Sequence, residues 1–424
     1  MPTPHAQWPL PQGVVDLLFE DAAGKRDLEQ RLRRIFSTWS YDELISPTFE
    51  YADTLASEAG TQLAEEMYRF VDRDGRTLAL RPDLTIPTAR VVGTRLFDQP
   101  LPLRLFYIGS VFRYEPPQAG RQREFTQAGF ELIGAATPAA DAEALALTVE
   151  ALQAAGLQGF QIALGQMAFF RGLLAEVNAP PLVVTALQSA IDRKNPADLS
   201  AVLEGLSVSS AVSLALAALP TLNGGPEILQ KGKAHCLNEM MRASLERLEA
   251  IQALLAAYGV AGSIVYDLGE TRGMEYYTGI TFKGYAPGLG FSICSGGRYD
   301  DLVGHFGPAQ PAVGCALWLD RMLLARQRQV GRARRVHPDL LIAADGCDQQ
   351  LRLALELRRN GLRVELDVSG CPSDELPQRA HERSIRRIAA CTGDGRIVLF
   401  EDGATRMVTA GELAVEAKGW TVTT

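Results

Sequence analysis

No run of this 424-residue chain approaches the roughly 18 to 20 consecutive apolar positions needed to cross a membrane. Its first residues, MPTPHAQWPLPQG, have neither a basic start nor an apolar core. They do not read as a secretory signal, and a cytoplasmic protein is expected. The six cysteines (Cys236, Cys294, Cys315, Cys347, Cys371 and Cys391) show no CxxC or Cys/His spacing, and the five histidines show no ligand spacing either. Buried or idle thiols are expected rather than disulfides or zinc, and nothing calls for a metal or a cofactor. Lysine is scarce where nucleic acid would need it: Lys418 is the only one between residues 336 and 424. That stretch carries 14 acidic side chains against 11 basic ones, a balance of −3 in a chain of net charge −8. Phosphate neutralisation supplies most nucleic-acid affinity, so this composition argues against a polyanion as partner. Arg379, Arg383, Arg386 and Arg387 could still form a basic stripe along one helix. Internal repeats and low-complexity segments are lacking too. With 47% hydrophobic and 22% charged residues, the chain reads as globular, in two or three domains.

What is present is well patterned. Leu28, Leu32, Ile35 and Phe36 recur at helical spacing between Gly24 and Trp39, and a short strand is expected over Glu43–Pro47. Asp74-Gly75 sits between two apolar runs, Met67–Val71 and Thr77–Leu80, as a hairpin turn should. Asp141–Ala155 reads as an amphipathic helix stopped by Gly156, followed by a strand over Gly159–Leu164. Residues 167–258 read as helical throughout, an insertion between sheet elements broken at Pro180-Pro181, Pro220 and Gly224-Gly225. Strands resume at Ser263–Tyr266, Thr278–Lys283 and Gly290–Cys294. After the linker Gly331–Arg335, strands near 339–344, 363–368 and 396–401 alternate with helices over 349–360 and 378–388. That alternation predicts a small, mostly parallel α/β domain.

The most informative segment runs from Phe112 to Gly134: a strand (Leu103–Glu115), a polar loop and a returning strand (Glu124–Gly134). Alternate residues of a strand share a face, so Arg113 and Glu115 project together, as do Phe125, Gln127 and Glu131. The loop adds Pro116, Pro117, Gly120, Arg121 and Arg123. An aromatic platform, cations, an amide and carboxylates on one floor suit a zwitterionic or phosphorylated small molecule. A solvent-exposed charged hairpin is the plainer alternative. Asp83 and Thr85 follow the apolar strand ending at Leu80 and could meet an ammonium or imidazolium; capping a helix opened by Pro87 would explain them equally. Arg272 could bind a carboxylate bidentately, and the hydroxyls of Tyr276 and Tyr277 could meet an imidazole nitrogen, although a tyrosine pair is often core.

Phe112–Gly134 closely resembles motif 2 of class II aminoacyl-tRNA synthetases in its histidyl-tRNA synthetase version, and the resemblance covers most of the chain. Glu29–Pro47 is similar to motif 1, a dimer-interface helix leading into a strand that ends in proline. Leu80–Thr85 resembles a histidine-contacting strand, and Arg272–Gly279 the histidyl-specific RGLDYYTG element. Ser295–Asp300 followed by Pro311–Arg321 occupies the place of motif 3. The resemblance implies an α+β fold, with a class II synthetase-like antiparallel sheet core flanked by helices over residues 1–330. A helical insertion spans about 167–260, and 336–424 form a C-terminal α/β domain similar to an anticodon-binding domain. It also implies a homodimer core and a histidine-like pocket built from Asp83, Thr85, Arg113, Gln127, Glu131, Arg272, Tyr276 and Tyr277.

Motif 3 departs from the synthetase pattern. Gly314 and Arg321 are kept, but Trp318 stands where the family has glycine, and Asp320 replaces a glutamate. Asp83 is likewise shorter than the usual glutamate. An indole directed at the ligand face would fill the slot in which adenine stacks between an arginine and the motif 2 phenylalanine; directed at the helices, it would be core. At the expected phosphate-contact loop, Asp374 and Glu375 place carboxylates. These features resemble a branch of the family, the regulatory subunits of ATP phosphoribosyltransferase, as do Ile86-Pro87, Ala316–Arg321 and Asp192-Arg193-Lys194. That resemblance implies a short-form catalytic phosphoribosyltransferase as partner, L-histidine as feedback ligand, no catalytic residues in this chain and no tRNA partner. An authentic histidyl-tRNA synthetase, which activates histidine with ATP and charges tRNA, is the competing expectation.

Overall fold

The computed structural model describes residues 9–56, 60–115, 122–177, 179–273, 276–332, 336–343, 348–372, 375–392 and 394–420. Pro116, Pro117, Gly120, Arg121, Met274, Glu275, Cys347 and Asp374 lie outside the described residues. Two compact units make up the chain, Met1–Ala333 and Arg334–Thr424.

In the first unit the strands are β1 (Asp42–Glu43), β2 (Phe49–Tyr51), β3 (Arg69–Val71), β4 (Thr77–Leu80), β5 (Leu103–Phe112), β6 (Glu124–Ile133), β7 (Gln161–Gln166), β8 (Asn223–Gly224), β9 (Ile264–Asp267), β10 (Ile280–Tyr285), β11 (Ser292–Arg298) and β12 (Ala312–Trp318). Nine of them form one sheet in the order β1-β5-β6-β12-β11-β10-β7-β9-β8, while β2, β4 and β3 form a separate small sheet. Only the β1–β5 and β7–β9 pairings of the large sheet are parallel. The architecture is therefore α+β, with an antiparallel core. The expected strand at Glu43–Pro47 is displaced: Asp42 and Glu43 alone pair with β5. Past them the carbonyls of Ser46 and Pro47 accept from the Arg81 guanidinium (2.7 and 3.3 Å) instead of from a neighbouring strand.

Strand alternation gives the sheet two unlike faces. Phe106, Phe130, Leu132, Val313 and Leu317 point to one side, where the helices Phe19–Thr38 and Pro138–Ala154 cover them. Phe36 seats there, its ring centroid 5.2 Å from Phe106 and 5.7 Å from Phe130. Each fully buried side chain of this kind contributes about 1.5 to 3 kcal/mol relative to exposure. The packing is tied by a buried ion cluster. Asp141, on the second of these helices, receives Arg298 from β11 (2.6 Å) and Arg247 (2.6 Å) from the helix Glu239–Ala257. The helical insertion comprises Met167–Val177, Pro181–Asp192, Pro196–Glu204, Ser210–Ala218, Glu227–Lys233 and Glu239–Ala257, interrupted by the short edge strand β8.

The second unit corrects the expected topology. Its sheet runs β14 (Val364–Leu366), β13 (Leu340–Ile342), β15 (Arg387–Cys391), β16 (Ile397–Glu401), β17 (Ala404–Val408). Pairs β13–β14 and β13–β15 are parallel, whereas β15–β16 and β16–β17 are antiparallel, so the sheet is mixed rather than mostly parallel. The helix expected over 378–388 spans Leu376–Glu382, and Ser384 (φ +56°) turns the chain into β15. The arginine stripe is broken with it. Arg379 stands 3.8 Å from Asp367, Arg383 pairs with Glu365, and Arg387 lies on β15 against Glu401 (2.6 Å).

Among the described residues no helix is long and apolar enough to cross a membrane, and no group of His, Cys, Asp or Glu could hold a metal ion.

Candidate functional site

The sheet face away from the helices carries the candidate site. Register pairs Leu105 with Glu131, Tyr107 with Gly129, Gly109 with Gln127 and Val111 with Phe125. Across β6, Gly314 is opposite Glu131 and Trp318 opposite Gln127. Glycine is required twice for close approach: a Cβ at Gly129 would overlap the Tyr107 hydroxyl, and one at Gly314 would overlap the Glu131 carboxylate.

Glu131 is the centre. Its Oε1 accepts from the Tyr107 hydroxyl (2.9 Å), its Oε2 from the Tyr299 hydroxyl, and the residue is only 1% exposed. Burial pushes its carboxyl up to about 7, although three hydroxyl donors (Tyr299, Tyr107 and Thr85) oppose the shift. Thr85 lies against Tyr107 (3.2 Å between hydroxyl oxygens). Tyr276 stacks on Tyr299 at 5.5 Å and meets Tyr277 edge-on at 5.0 Å. Burial raises Tyr107, Tyr276, Tyr277 and Tyr299 as well, so all four remain neutral donors.

Asp83 does the capping job expected of it. Its Oδ1 accepts the backbone N–H of Ile86 (3.1 Å) at the start of the helix Thr85–Arg95. Burial also raises its carboxyl, with the nearby Arg113 charge opposing. Gln127 Oε1 accepts from Leu84 N (2.8 Å), which fixes that same helix start against β6. Arg113 donates from Nε to the Pro82 carbonyl (2.8 Å), with its guanidinium 5.4 Å from the Phe125 ring centre. Asp83, Thr85, Gln127, Glu131, Tyr276 and Tyr277, with Arg113 at the rim, thus belong to one region. Arg272 is placed elsewhere. Its side chain is exposed and donates from Nε to Asp192 Oδ2 (3.2 Å) at the end of an insertion helix.

Trp318 turns to the ligand face. The indole packs on the cluster of Leu84, Tyr107, Val111 and Phe125, and the Arg321 guanidinium lies 4.4 Å from its centre. One aromatic side chain therefore packs on the cluster that includes the motif 2 phenylalanine and carries the motif 3 arginine on its ring. Among the described residues its buried Nε1–H has no acceptor. Asp320 points back into the frame and accepts from Thr126 N (2.7 Å).

Sequence reasoning assigned no role to Tyr107 or Tyr299, the two donors to Glu131. Tyr107 was accessible: hairpin register alone sets a large aromatic opposite Gly129. Tyr299 follows β11, and only the β11–β12–β6 order brings it to Glu131.

The histidyl-tRNA synthetase family model matches residues 13–322. The chain belongs to that family. An ATP phosphoribosyltransferase regulatory subunit from Moorella thermoacetica is 44% identical over 89% of this chain and 96% of its own length. One from Syntrophotalea carbinolica is 38% identical over 94% and 95%. A solved structure described as an ATP phosphoribosyltransferase regulatory subunit/histidyl-tRNA synthetase, from Bacillus halodurans C, superposes with a TM-score of 0.82 at 30% identity. That superposition covers 91% of this chain and 99% of the other. Within the histidyl-tRNA synthetase family, the chain lies with the members named regulatory subunits.

Proposed function

We propose that this chain is the regulatory subunit of an ATP phosphoribosyltransferase. It binds a short-form catalytic subunit, carries a histidine-sensing pocket and performs no chemistry itself. The observation that carries the reading is Trp318. Activation of histidine by ATP in the family needs an open slot for adenine between phenylalanine and arginine, and here the indole packs on the cluster that holds Phe125 and carries the Arg321 guanidinium on its ring. The amino-acid pocket is meanwhile equipped: Asp83 and Glu131 suit an ammonium or imidazolium, and the tyrosine hydroxyls suit ring nitrogens. The names of the relatives support the same division of labour.

The deciding experiment is histidine-dependent exchange of pyrophosphate into ATP. None is expected from the wild-type chain, and the Trp318→Gly variant is expected to bind adenine nucleotide where the wild type does not. Robust exchange by the wild type would show a working synthetase instead. Addition of the chain to a short-form catalytic subunit is expected to confer phosphoribosyl transfer that histidine inhibits.

The proposed homodimer uses the motif 1 side. Ile45, Phe49 and Tyr51 are exposed there beside a cavity of about 690 Å³. A monomer at micromolar concentration in analytical ultracentrifugation would refute it.

A further inference from the structure

In the second unit, β14 is an edge strand of the sheet, paired on one side only, with β13. Peptide groups along a strand point alternately to its two sides. The inner set belongs to Arg363, Glu365 and Asp367: the Arg363 carbonyl accepts from Asp339 N (2.8 Å), and Asp367 N donates to the Ile342 carbonyl (2.8 Å). Val364 and Leu366 therefore turn their peptide groups outward. Among the described residues their one partner on that side is Arg358, which donates to the Val364 carbonyl from Nε (3.0 Å) and Nη2 (2.9 Å). Such an edge is a template for another strand.

Arg358 also shows which flank of the helix Asp348–Arg359 stands over that edge. Residues three and four apart share a flank, so Leu351 and Leu355 lie in line with Arg358. The core takes Leu353, Ala354 and Leu357 from this helix and Val364 from the strand. Leu351 and Leu355 are left 56% and 48% exposed, and Val368, just past the strand, 87%. A groove of about 700 Å³ follows the edge, lined by Pro338, Arg358, Leu362, Val364, Leu366 and Val368. Its border is cationic. Among the described residues Arg352, Arg358, Arg359 and Arg363 form no ion pair, unlike Arg383, Arg387, Arg396 and Arg406. The nearby carboxylates are engaged, Glu365 by Arg383 and Asp339 by the backbone N–H of Arg363 (2.8 Å). Outward peptide groups call for another backbone, the apolar flank for side chains rather than phosphates, and the arginines for carboxylates.

We propose that β14 and the Leu351–Leu355 flank form a docking groove for an extended acidic segment of another protein, which joins the sheet as an added strand. Its backbone pairs with Val364 and Leu366, and its alternate apolar side chains face Leu351, Leu355 and Val368. Arg358 exchanges the Val364 carbonyl for a carboxylate, a stronger charge-assisted partner, and Arg359 and Arg363 take others. The groove draws nothing from the amino-acid pocket, so the two readings stand or fall separately.

The probe is a fluorescent peptide of alternating valine and aspartate, titrated with the full-length chain and followed by polarisation. Binding at micromolar protein is expected, with slower hydrogen–deuterium exchange at the Leu366 amide. Arg358→Glu and Leu355→Asp, both at exposed positions, should each weaken it about tenfold or more. Arg396→Glu makes the same charge change away from the groove and should leave it unaltered. A strand pairs through alternate amides only, so N-methylation of one alternate set of peptide amides should abolish binding while the other set tolerates it. No binding at millimolar protein, or equal loss from both methylated sets, would overturn the proposal. Equal binding by a peptide with its valines and aspartates in separate blocks, or by a single-stranded oligonucleotide of the same charge, would also overturn it, leaving a basic patch. Slow exchange at Leu366 that depends on protein concentration without peptide would show a second copy of the chain on the edge, and would overturn it too.

Discussion

At the scale of single residues, Glu131 dominates. Its carboxyl titrates near 7 in the folded chain against 4.5 in the unfolded one. Between those values the folded state holds a proton that the unfolded state has released, so stability falls as pH rises through the window and is lowest above it. A shift of this size corresponds to about 3 kcal/mol. Urea unfolding at pH 5 and pH 8 should show that loss in the wild type and a flatter response in Glu131→Gln. Equal pH dependence in both would mean the carboxyl is not held neutral. The alternation of Phe125, Gln127 and Glu131 was legible because a strand's period is local. The pairing of Arg272 with Asp192 was not legible, because it joins residues 80 apart through the packing of the insertion on the sheet. Trp318 stood between: the sequence marked it as out of pattern, and only its register opposite Gln127 assigned its face.

Among elements, the helix Pro138–Ala154 shows how much stability hangs on one junction. Asp141 is fully buried and neutralises Arg298, itself 3% exposed, while also receiving Arg247. Removing one member of a buried cluster strands the others' charge, typically at about 3 to 5 kcal/mol. Asp141→Ala is expected to lower the unfolding free energy from urea titration by that much, and a change below about 1 kcal/mol would show the cluster to be dispensable. Arg298 belongs to a segment that reads as part of the ligand motif, yet its role is to join β11 to two helices. In the first unit the two hairpins, Met67–Leu80 and Leu103–Gly134, and the helix after Pro138 were legible from periodicity to within a few residues, whereas β2, β8 and the helix Thr85–Arg95 were not. The end of Leu376–Glu382 was not, because the stop is a serine at φ +56°, where glycine would have been the usual signal. Sheet order was equally hidden. β12 lies between β6 and β11 although almost 180 residues separate it from β6, and no local pattern encodes such a pairing.

On the scale of the whole molecule, charge is spent internally. In the second unit Arg383, Arg387, Arg396 and Arg406 each face a carboxylate of the same unit. These pairings leave fewer cations to neutralise phosphates on a unit whose balance is already −3. Histidine tRNA should bind weakly and without anticodon preference, with a shallow dependence on salt. In filter binding, a log–log salt slope steeper than about −4 would indicate several phosphate contacts and contradict this.

Trp318 also gives the protein an optical property. Trp39 donates to Glu150 (2.8 Å) on the helix-covered side, and Trp420 lies 4.1 Å from Arg387 in the other unit. Among the described tryptophans, Trp318 alone faces the Glu131 cluster, with its N–H unpaired and a guanidinium on its ring. An indole so placed emits toward the blue, and its quantum yield follows the position of that cation. If the proposed pocket is filled, intrinsic fluorescence is expected to report it, with no label, through the side chain proposed to close the nucleotide slot.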